Sequence, residues 1–425
     1  MSTTRASRLA RSGPAVAVAG VLANGLAYLA PMLGGRTLPA AELSALATVL
    51  ALAAIGSVPG LGLQIAVAVH RARDGRDSAG RLAWIAAGIC TAAVLAAGPL
   101  LIDALQLSIA MVVLLSLATG TAVLGCRWLG ELQGDQRFVR LAVAMTVLAV
   151  TRYGGIIGAL VAGLDATGAL LTGVVVGVGT LPVLAWLAAG ARPPATVAGV
   201  DRTPVGEATS GGTIAGFAAD SRLTAAAVIT ASSATLAMLA LSYADLIMAR
   251  YLLSPGDSGG YAIGAVLTKG AIWAPQVVTI IALPRLARGD RRARRIALGL
   301  VALCGAALVS ASALAGGLAF RLAGGPDYAY LGGYAPYFAA VGALYALVFV
   351  MVNAQVAAGA RRPATPLWIT TVGLLGWLLV TRPGSIQEVV VAALVAAVFA
   401  TAVTAMAMRR TPMPVPTGDQ PPPAG

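Results

Sequence analysis

Charge is what this sequence has least of. Asp, Glu, Lys and Arg together make up 11% of its 425 residues, under half of the roughly 25% usual in soluble globular chains. That shortage excludes a soluble globular enzyme. A mean hydropathy of +0.86, spread along the whole chain, excludes disorder. Histidine occurs once, as His70, flanked by Arg71 and Arg73 at the end of an apolar run, where it reads as an interfacial flank rather than a ligand or base. The three cysteines, Cys90, Cys126 and Cys304, lie in or at the ends of apolar segments, with no spacing that implies a metal site or a disulfide framework. They read as small buried apolar side chains. P-loop, HExxH and CxxC patterns are missing, and no long polar stretch exists to house a nucleotide. No cofactor, no metal and no covalent chemistry are therefore expected. Lysine also occurs only once, as Lys269. The other 28 basic residues are arginines, a bias that, with the abundance of alanine, points to a GC-rich bacterial genome.

What is present is apolar sequence in long runs. A transmembrane helix needs about 20 consecutive apolar residues. Runs between charged or Pro/Gly-rich breaks predict twelve spans at about 14–35, 43–69, 80–102, 105–126, 138–163, 166–190, 223–250, 260–284, 296–320, 334–360, 364–381 and 385–408. The fold class expected is thus an all-α integral membrane protein. Asp103 and Asp165 mark two very short turns between neighbouring spans. A net charge of +13 would point to nucleic acid in a soluble protein. Here it is read through the positive-inside rule, and no nucleic-acid partner is expected. Of the basic residues, Arg36, Arg250, Arg321 and Arg382 fall in odd-numbered breaks, and 23 arginines fall at the two ends and in even-numbered breaks. Arg152 and Lys269 fall inside spans. The split predicts both termini in the cytoplasm of a multi-pass protein of a bacterial plasma (inner) membrane. Arg5, Arg8 and Arg11 ahead of the first apolar run also have the look of a signal peptide, but that run reads as a retained first span.

The spans group six plus six. The expected organisation is an N-terminal six-helix lobe over 1–190, a cytoplasmic linker over 191–221 rich in Pro, Gly, Ser and Thr, a C-terminal lobe over 222–408, and a disordered Pro-rich cytoplasmic tail over 409–425. Six spans per half enter the membrane the same way, so the lobes would be related by a parallel pseudo-repeat. Pro39 and Pro255, Pro59 and Pro275, and Asp74 and Asp290 each stand 216 residues apart. Arg36-Thr37-Leu38 stands shortly before Pro39 and Arg250-Tyr251-Leu252 shortly before Pro255. Mid-span Pro59 and Pro275 predict bent second and eighth spans.

One hairpin is distinctive. Asp245-x-x-x-x-Arg250-x-Leu252, Ser254-Pro255-Gly256-Asp257, Gly260-Tyr261, Leu267-x-Lys269 and Leu283-Pro284-Arg285 resemble the seventh and eighth spans of polysaccharide flippases of the multidrug/oligosaccharidyl-lipid/polysaccharide (MOP) exporter superfamily. Gly35-Arg36-x-Leu38-Pro39-x-x-Glu42 with Val58-Pro59-Gly60-Leu61-x-Leu63-Gln64 is similar to the first two spans of that family. Asn353-x-Gln355-x-x-x-Gly359-x-Arg361-Arg362 is similar to the end of its tenth span. The resemblance covers about 20–408. It implies two six-helix lobes in a V around a central cavity, and translocation of a lipid-linked sugar between leaflets by alternating access. It implies a polyprenyl-linked sugar as substrate, contact with membrane lipids, and glycosyltransferases or a polymerase of the same pathway as protein partners. This chain departs from the family in having fewer cations available for such a cavity.

Charge inside hydrocarbon costs about 2.5–3.5 kcal/mol per residue on insertion scales, so Arg152, Asp245 and Lys269 each call for a reason. Counting from the turn at about 252–259 places Asp245 and Lys269 at comparable depth, some 10–15 Å from the surface at about 1.5 Å per residue. Two readings stand for them. In one, Lys269 and Arg152 face the cavity and hold the diphosphate of the substrate, while Asp245 holds Lys269 in reserve or takes up a coupling proton or ion. In the other, Asp245 and Lys269 form a plain ion pair locking two helices, and Arg152 packs its lobe. Asn24, Gln64, Gln276, Asn353 and Gln355 are the further candidates. Each either meets sugar hydroxyls or serves as interhelical glue worth about 0.6 kcal/mol. A small-molecule or multidrug exporter of the same superfamily is the alternative function, followed by a membrane glycosyltransferase and a passive scaffold.

Overall fold

The computed structural model describes residues 3–74, 79–189, 225–273, 291–357, 360 and 362–410, and every regular element among them is helical. The expected linker at 191–221, the tail beyond Arg410, and Pro275 and Gln276 lie outside the described residues. The N-lobe is built from α1 (Thr3–Thr37), α2 (Ala40–Gly56), α3 (Val58–Asp74), α4 (Ala79–Ala96), α5 (Gly98–Leu105), α6 (Ile109–Gly134), α7 (Phe138–Val161) and α8 (Ala166–Ala189). The C-lobe is built from α9 (Ala225–Leu252), α10 (Pro255–Trp273), α11 (Arg291–Gly324), a 3-10 stretch (Pro326–Tyr334), α12 (Ala335–Ala357), α13 (Thr365–Thr381) and α14 (Ile386–Arg410). Among the described residues, eight helical segments are long and apolar enough to cross a membrane, or nine if α4 and α5, bent by 43°, count as one.

A helix is the only open-ended element that satisfies its own backbone in hydrocarbon, and this explains why runs so rich in valine and threonine are not strands. Their outer faces are apolar too. Trp84, Trp186, Trp377, Leu314 and Val380 are all exposed, a surface that belongs against lipid rather than water. The chain is thus a multi-pass membrane protein.

The expected second span is α2 and α3 together. They break at Ser57, whose hydroxyl donates to the Ala54 carbonyl at 2.8 Å, just before Pro59 removes a backbone donor. The helix is interrupted two residues before Pro59, and its two pieces still run as one apolar segment over Ala40–Arg71. The turn expected at Asp103 is displaced: the helix continues to Leu105, and Gln106 reverses the chain with φ 51°, its amide donating back to the Asp103 carbonyl at 2.9 Å. Asp165 does mark its turn, because its carboxylate accepts from the Gly168 N–H at 2.9 Å and so caps α8.

The turns at this end of the molecule are short and capped. Ser108 accepts from the Met111 N–H at 3.2 Å at the start of α6. Ser254 and Asp257 cap α10 behind Pro255, and Ser385 with Glu388 caps α14. Glu42 of α2 accepts from the Ala166 N–H at 3.0 Å, closing the same end of α8.

At this hairpin end the two lobes share one apolar core, with Leu38, Leu43 and Leu46 of the N-lobe in the same cluster as Tyr261, Ile263 and Phe320 of the C-lobe. Further along, each lobe keeps its own core. Met238, Tyr345 and Val348 belong to one in the C-lobe, and Leu129, Leu132 and Leu184 to one in the N-lobe. There the lobes meet along α3 and α9, where Gly62 lies against the Ser232 hydroxyl.

Candidate functional site

The hairpin α9–α10 holds the buried charges, and the apolar sequence around them forces each to find a partner. Asp245 is 3% exposed and Lys269 7%. The Asp245 carboxylate accepts from the Tyr261 hydroxyl at 2.8 Å. Tyr261 is held by an edge-to-face contact with Phe338 on α12, ring centroids 5.0 Å apart. Tyr345 of α12 is fully buried in electrostatic range of Asp245, and its hydroxyl has no hydrogen-bond partner. Lys269 donates to the Ser242 carbonyl on α9, and its ammonium stands 3.5 Å from the centroid of the Tyr243 ring. Asp245 and Lys269 attract one another electrostatically, yet each gives its close contacts to other groups. The two charges are therefore one polar cluster inside the C-lobe rather than a direct ion pair.

Tyr243 is the way out of that cluster. One face meets the ammonium, and its hydroxyl lies in electrostatic range of Tyr153 and Arg152 on α7 and of Tyr28 on α1. Three helices from both lobes thus bring Tyr28, Tyr153, Tyr243 and Arg152 into one electrostatic neighbourhood. Arg152 is half-buried, and among the described residues its guanidinium has no hydrogen-bond acceptor and no acidic partner. Its nearest aromatic face is Tyr153, 5.5 Å away. The same guanidinium edges a cavity of about 50 Å³ inside the N-lobe, otherwise apolar, lined by Leu50, Thr121, Leu148, Ile156 and Val174. That is room for a few waters, far below the roughly 300–1,000 Å³ of an ordinary ligand pocket.

The remaining candidates fall in different places. Gln64 donates to the Gln133 side-chain oxygen at 2.9 Å, tying α3 to α6, and Gln355 donates to the Thr404 carbonyl at 3.2 Å, tying α12 to α14. Asn353 is 4% exposed, with neither amide atom partnered. Asn24 is half-buried on α1, the helix that also carries Tyr28.

The tyrosines were not singled out from sequence. The signal was available for four of them: in a chain with 5% aromatic residues, Tyr28, Tyr153, Tyr243 and Tyr345 stand within apolar runs, away from the interfacial belts where tyrosine usually gathers, whereas Tyr261 opens its run.

No family model matches this sequence, and no curated protein sequence matches it. Solved structures do. An inward-facing multidrug resistance MATE-family transporter of the MOP superfamily superposes with a TM-score of 0.65 at 15% identity, covering 91% of this chain and 94% of that one. The lipid II flippase MurJ, in an inward closed conformation, gives 0.62 at 10% identity over 93% and 87%. An outward-facing MATE transporter of the same superfamily gives 0.57 at 15% identity over 94% of each chain. These structures are named as transporters and a flippase, and the chain shares their two-lobed, all-helical fold.

Proposed function

We propose that this protein is a flippase that moves a lipid-linked oligosaccharide or polysaccharide precursor across a bacterial inner membrane by alternating access, with both termini in the cytoplasm. The observation that carries this reading is Arg152, a guanidinium with no acidic partner among the described residues, set 5.5 Å from the Tyr153 ring and in electrostatic range of Tyr243 in the other lobe. A diphosphate crossing a low-dielectric layer needs a compensating cation and hydrogen-bond donors, and sugar hydroxyls need polar rims of the kind Tyr28, Tyr153 and Tyr243 supply. Lys269 acts from behind. An ammonium over the Tyr243 ring draws electron density from it and makes the phenol a stronger donor toward an anion. Asp245 holds that cluster together through Tyr261, and Asn24 and Asn353 are the amides left for sugar contacts. The fold-level likeness to a lipid II flippase fits this reading.

A multidrug exporter of the same superfamily is the other reading, supported by the fold-level likeness to MATE transporters. A cationic drug would require an accessible carboxylate, and Asp245 is enclosed and hydrogen-bonded. Binding separates the two. Purified protein in nanodiscs is titrated with a polyprenyl-diphosphate sugar and, separately, with a lipophilic cation. The flippase reading expects Arg152→Ala to weaken the anionic lipid at least tenfold and Lys269→Ala to weaken it by a smaller factor. Absence of anionic-lipid binding, together with cation binding that survives Lys269→Ala, overturns it.

A further inference from the structure

Two arginines cross between the lobes at the hairpin end, and they do so reciprocally. Arg36, in the last turn of α1, donates through Nη2 to the Leu322 carbonyl at 2.9 Å, near the end of α11. Arg250, in the last turn of α9, donates through Nε to the Leu105 carbonyl at 3.0 Å and through Nη2 to the Gln106 carbonyl at 3.3 Å, at the end of α5. Its Nη1 donates to the Ala41 carbonyl of α2 at 2.9 Å. In each case the first span of one lobe caps the C-terminal end of the third span of the other.

Three of the four acceptors, the Leu322, Leu105 and Gln106 carbonyls, are ones that their own helices leave open; the fourth, Ala41, lies in the first turn of α2, where the carbonyl is shared with the helix's own ladder. Leu322 would bond four residues on to Pro326, which has no N–H. Leu105 and Gln106 end α5, where Gln106 turns left-handed. The last carbonyls of a helix lack internal partners and carry the negative end of its dipole, so a guanidinium is the favoured cap. Elsewhere such a cap comes from the same lobe or from solvent, whereas here each lobe completes the other. The seam around them admits no extra atoms. A Cβ on Gly35 would stand 2.9 Å from the Gly324 Cα, and one on Gly259 would stand 2.6 Å from the Ala40 Cβ. The stem of Arg36 runs beside Gly325, a residue with φ 107° whose missing side chain leaves that path clear.

We infer that Arg36 and Arg250 are a pair of reciprocal latches that hold the hairpin end shut, and that their release from the helix-end carbonyls is the step that opens this end of the chamber. This inference rests on the alternating-access reading above but needs no particular substrate. Under the proposed topology the latched end faces outward. The two latches are unequal. Arg250 is half-buried with three acceptors, while Arg36 is exposed with one, and solvent screens the second.

The test is a distance measurement between spin labels on Leu164→Cys and Tyr330→Cys, exposed positions at the hairpin end of the N- and C-lobe, in full-length protein in nanodiscs with Cys90, Cys126 and Cys304 replaced by Ala. Unsubstituted protein is expected to show mainly the short, closed distance. Arg250→Ala is expected to raise the open-to-closed ratio by about tenfold or more, Arg36→Ala by about threefold, and Arg250→Lys by an amount between them, since an ammonium serves fewer carbonyls at once. Arg36 is exposed, so its variant keeps the assay decisive if Arg250→Ala fails to fold. Distance distributions unchanged in Arg36→Ala and Arg250→Lys overturn the latch. A long-distance population that appears in all proteins alike also overturns it while leaving the transport reading intact. A latch that responds as stated in a protein that binds no anionic lipid overturns only the flippase reading.

Discussion

Tyr261 and Tyr345 have rings of the same kind, equal burial and nearly the same neighbourhood, yet the same substitution is expected to act on them in opposite directions. Both are 0% exposed. The Tyr261 hydroxyl donates to the Asp245 carboxylate at 2.8 Å, while the Tyr345 hydroxyl has no partner. Phenylalanine at 261 keeps the ring contact with Phe338 and removes only the donor. A hydrogen bond to a charged group is worth about 1.5–3 kcal/mol, so Tyr261→Phe should destabilise by about that amount. Phenylalanine at 345 removes a buried polar atom that hydrocarbon does not satisfy, and it should be neutral or stabilising by up to about 2 kcal/mol. The two variants are thus expected to differ by about 3 kcal/mol. Equilibrium unfolding in mixed micelles of mild detergent and SDS, followed by far-UV circular dichroism, reads the difference. An Asp245→Ala background provides the control, since Tyr261→Phe should no longer cost stability there. Equal destabilisation by both phenylalanines, or a Tyr261→Phe cost that persists without Asp245, would refute the assignment of Tyr261 as the partner that keeps this carboxylate buried.

The same unfolding assay checks two further expectations. Gly264→Ala should cost about 1–3 kcal/mol, because its Cβ would enter the Phe338 ring, whereas Gly270→Ala on the same helix, with open space around it, should be neutral or gain up to about 1 kcal/mol from helix propensity. Glu42→Ala removes the acceptor for the Ala166 N–H and should cost about 0.5–2 kcal/mol, with hydrogen exchange faster at the first turn of α8 than anywhere else in the N-lobe.

Much of the fold was readable because hydrocarbon leaves few options. An apolar run of membrane length has to become a helix, and each span read between arginines and prolines overlaps a described helix, although α1 already begins at Thr3 and α6 runs on to Gly134, and the end of the eighth span lies outside the described residues. The failures are local and have local causes. The chain does not turn at Asp103, because the stretch Gly98–Leu105 stays helical and the reversal waits for Gln106 to take a left-handed conformation, which a charge-based reading does not register. The interruption falls at Ser57, two residues before Pro59, since a proline disrupts the turn that precedes it. Pairing of Gln64 with Gln133 and of Gln355 with Thr404 was open between glue and sugar contact until the neighbouring helices were in place.

The site was less readable, and the reason lies in how membranes hold charge. Sequence marks a charge in a span as an anomaly and invites pairing it with the nearest opposite charge, as with Asp245 and Lys269. The structure divides the work differently. Tyr261 takes the carboxylate, while Ser242 and the Tyr243 ring take the ammonium. Neither charge neutralises the other by direct contact, so positive potential survives on the Tyr243 side, the side that meets Arg152 and the tyrosines of the N-lobe. Tyrosine makes this division possible, since it is apolar enough to insert in quantity and polar enough to meet a charge at its tip. The two arginines that do join the lobes sit at the membrane edge and bond to backbone rather than to acids. A carbonyl latch offers no carboxylate to protonate, so the closed end is held by a contact that ordinary pH changes do not titrate.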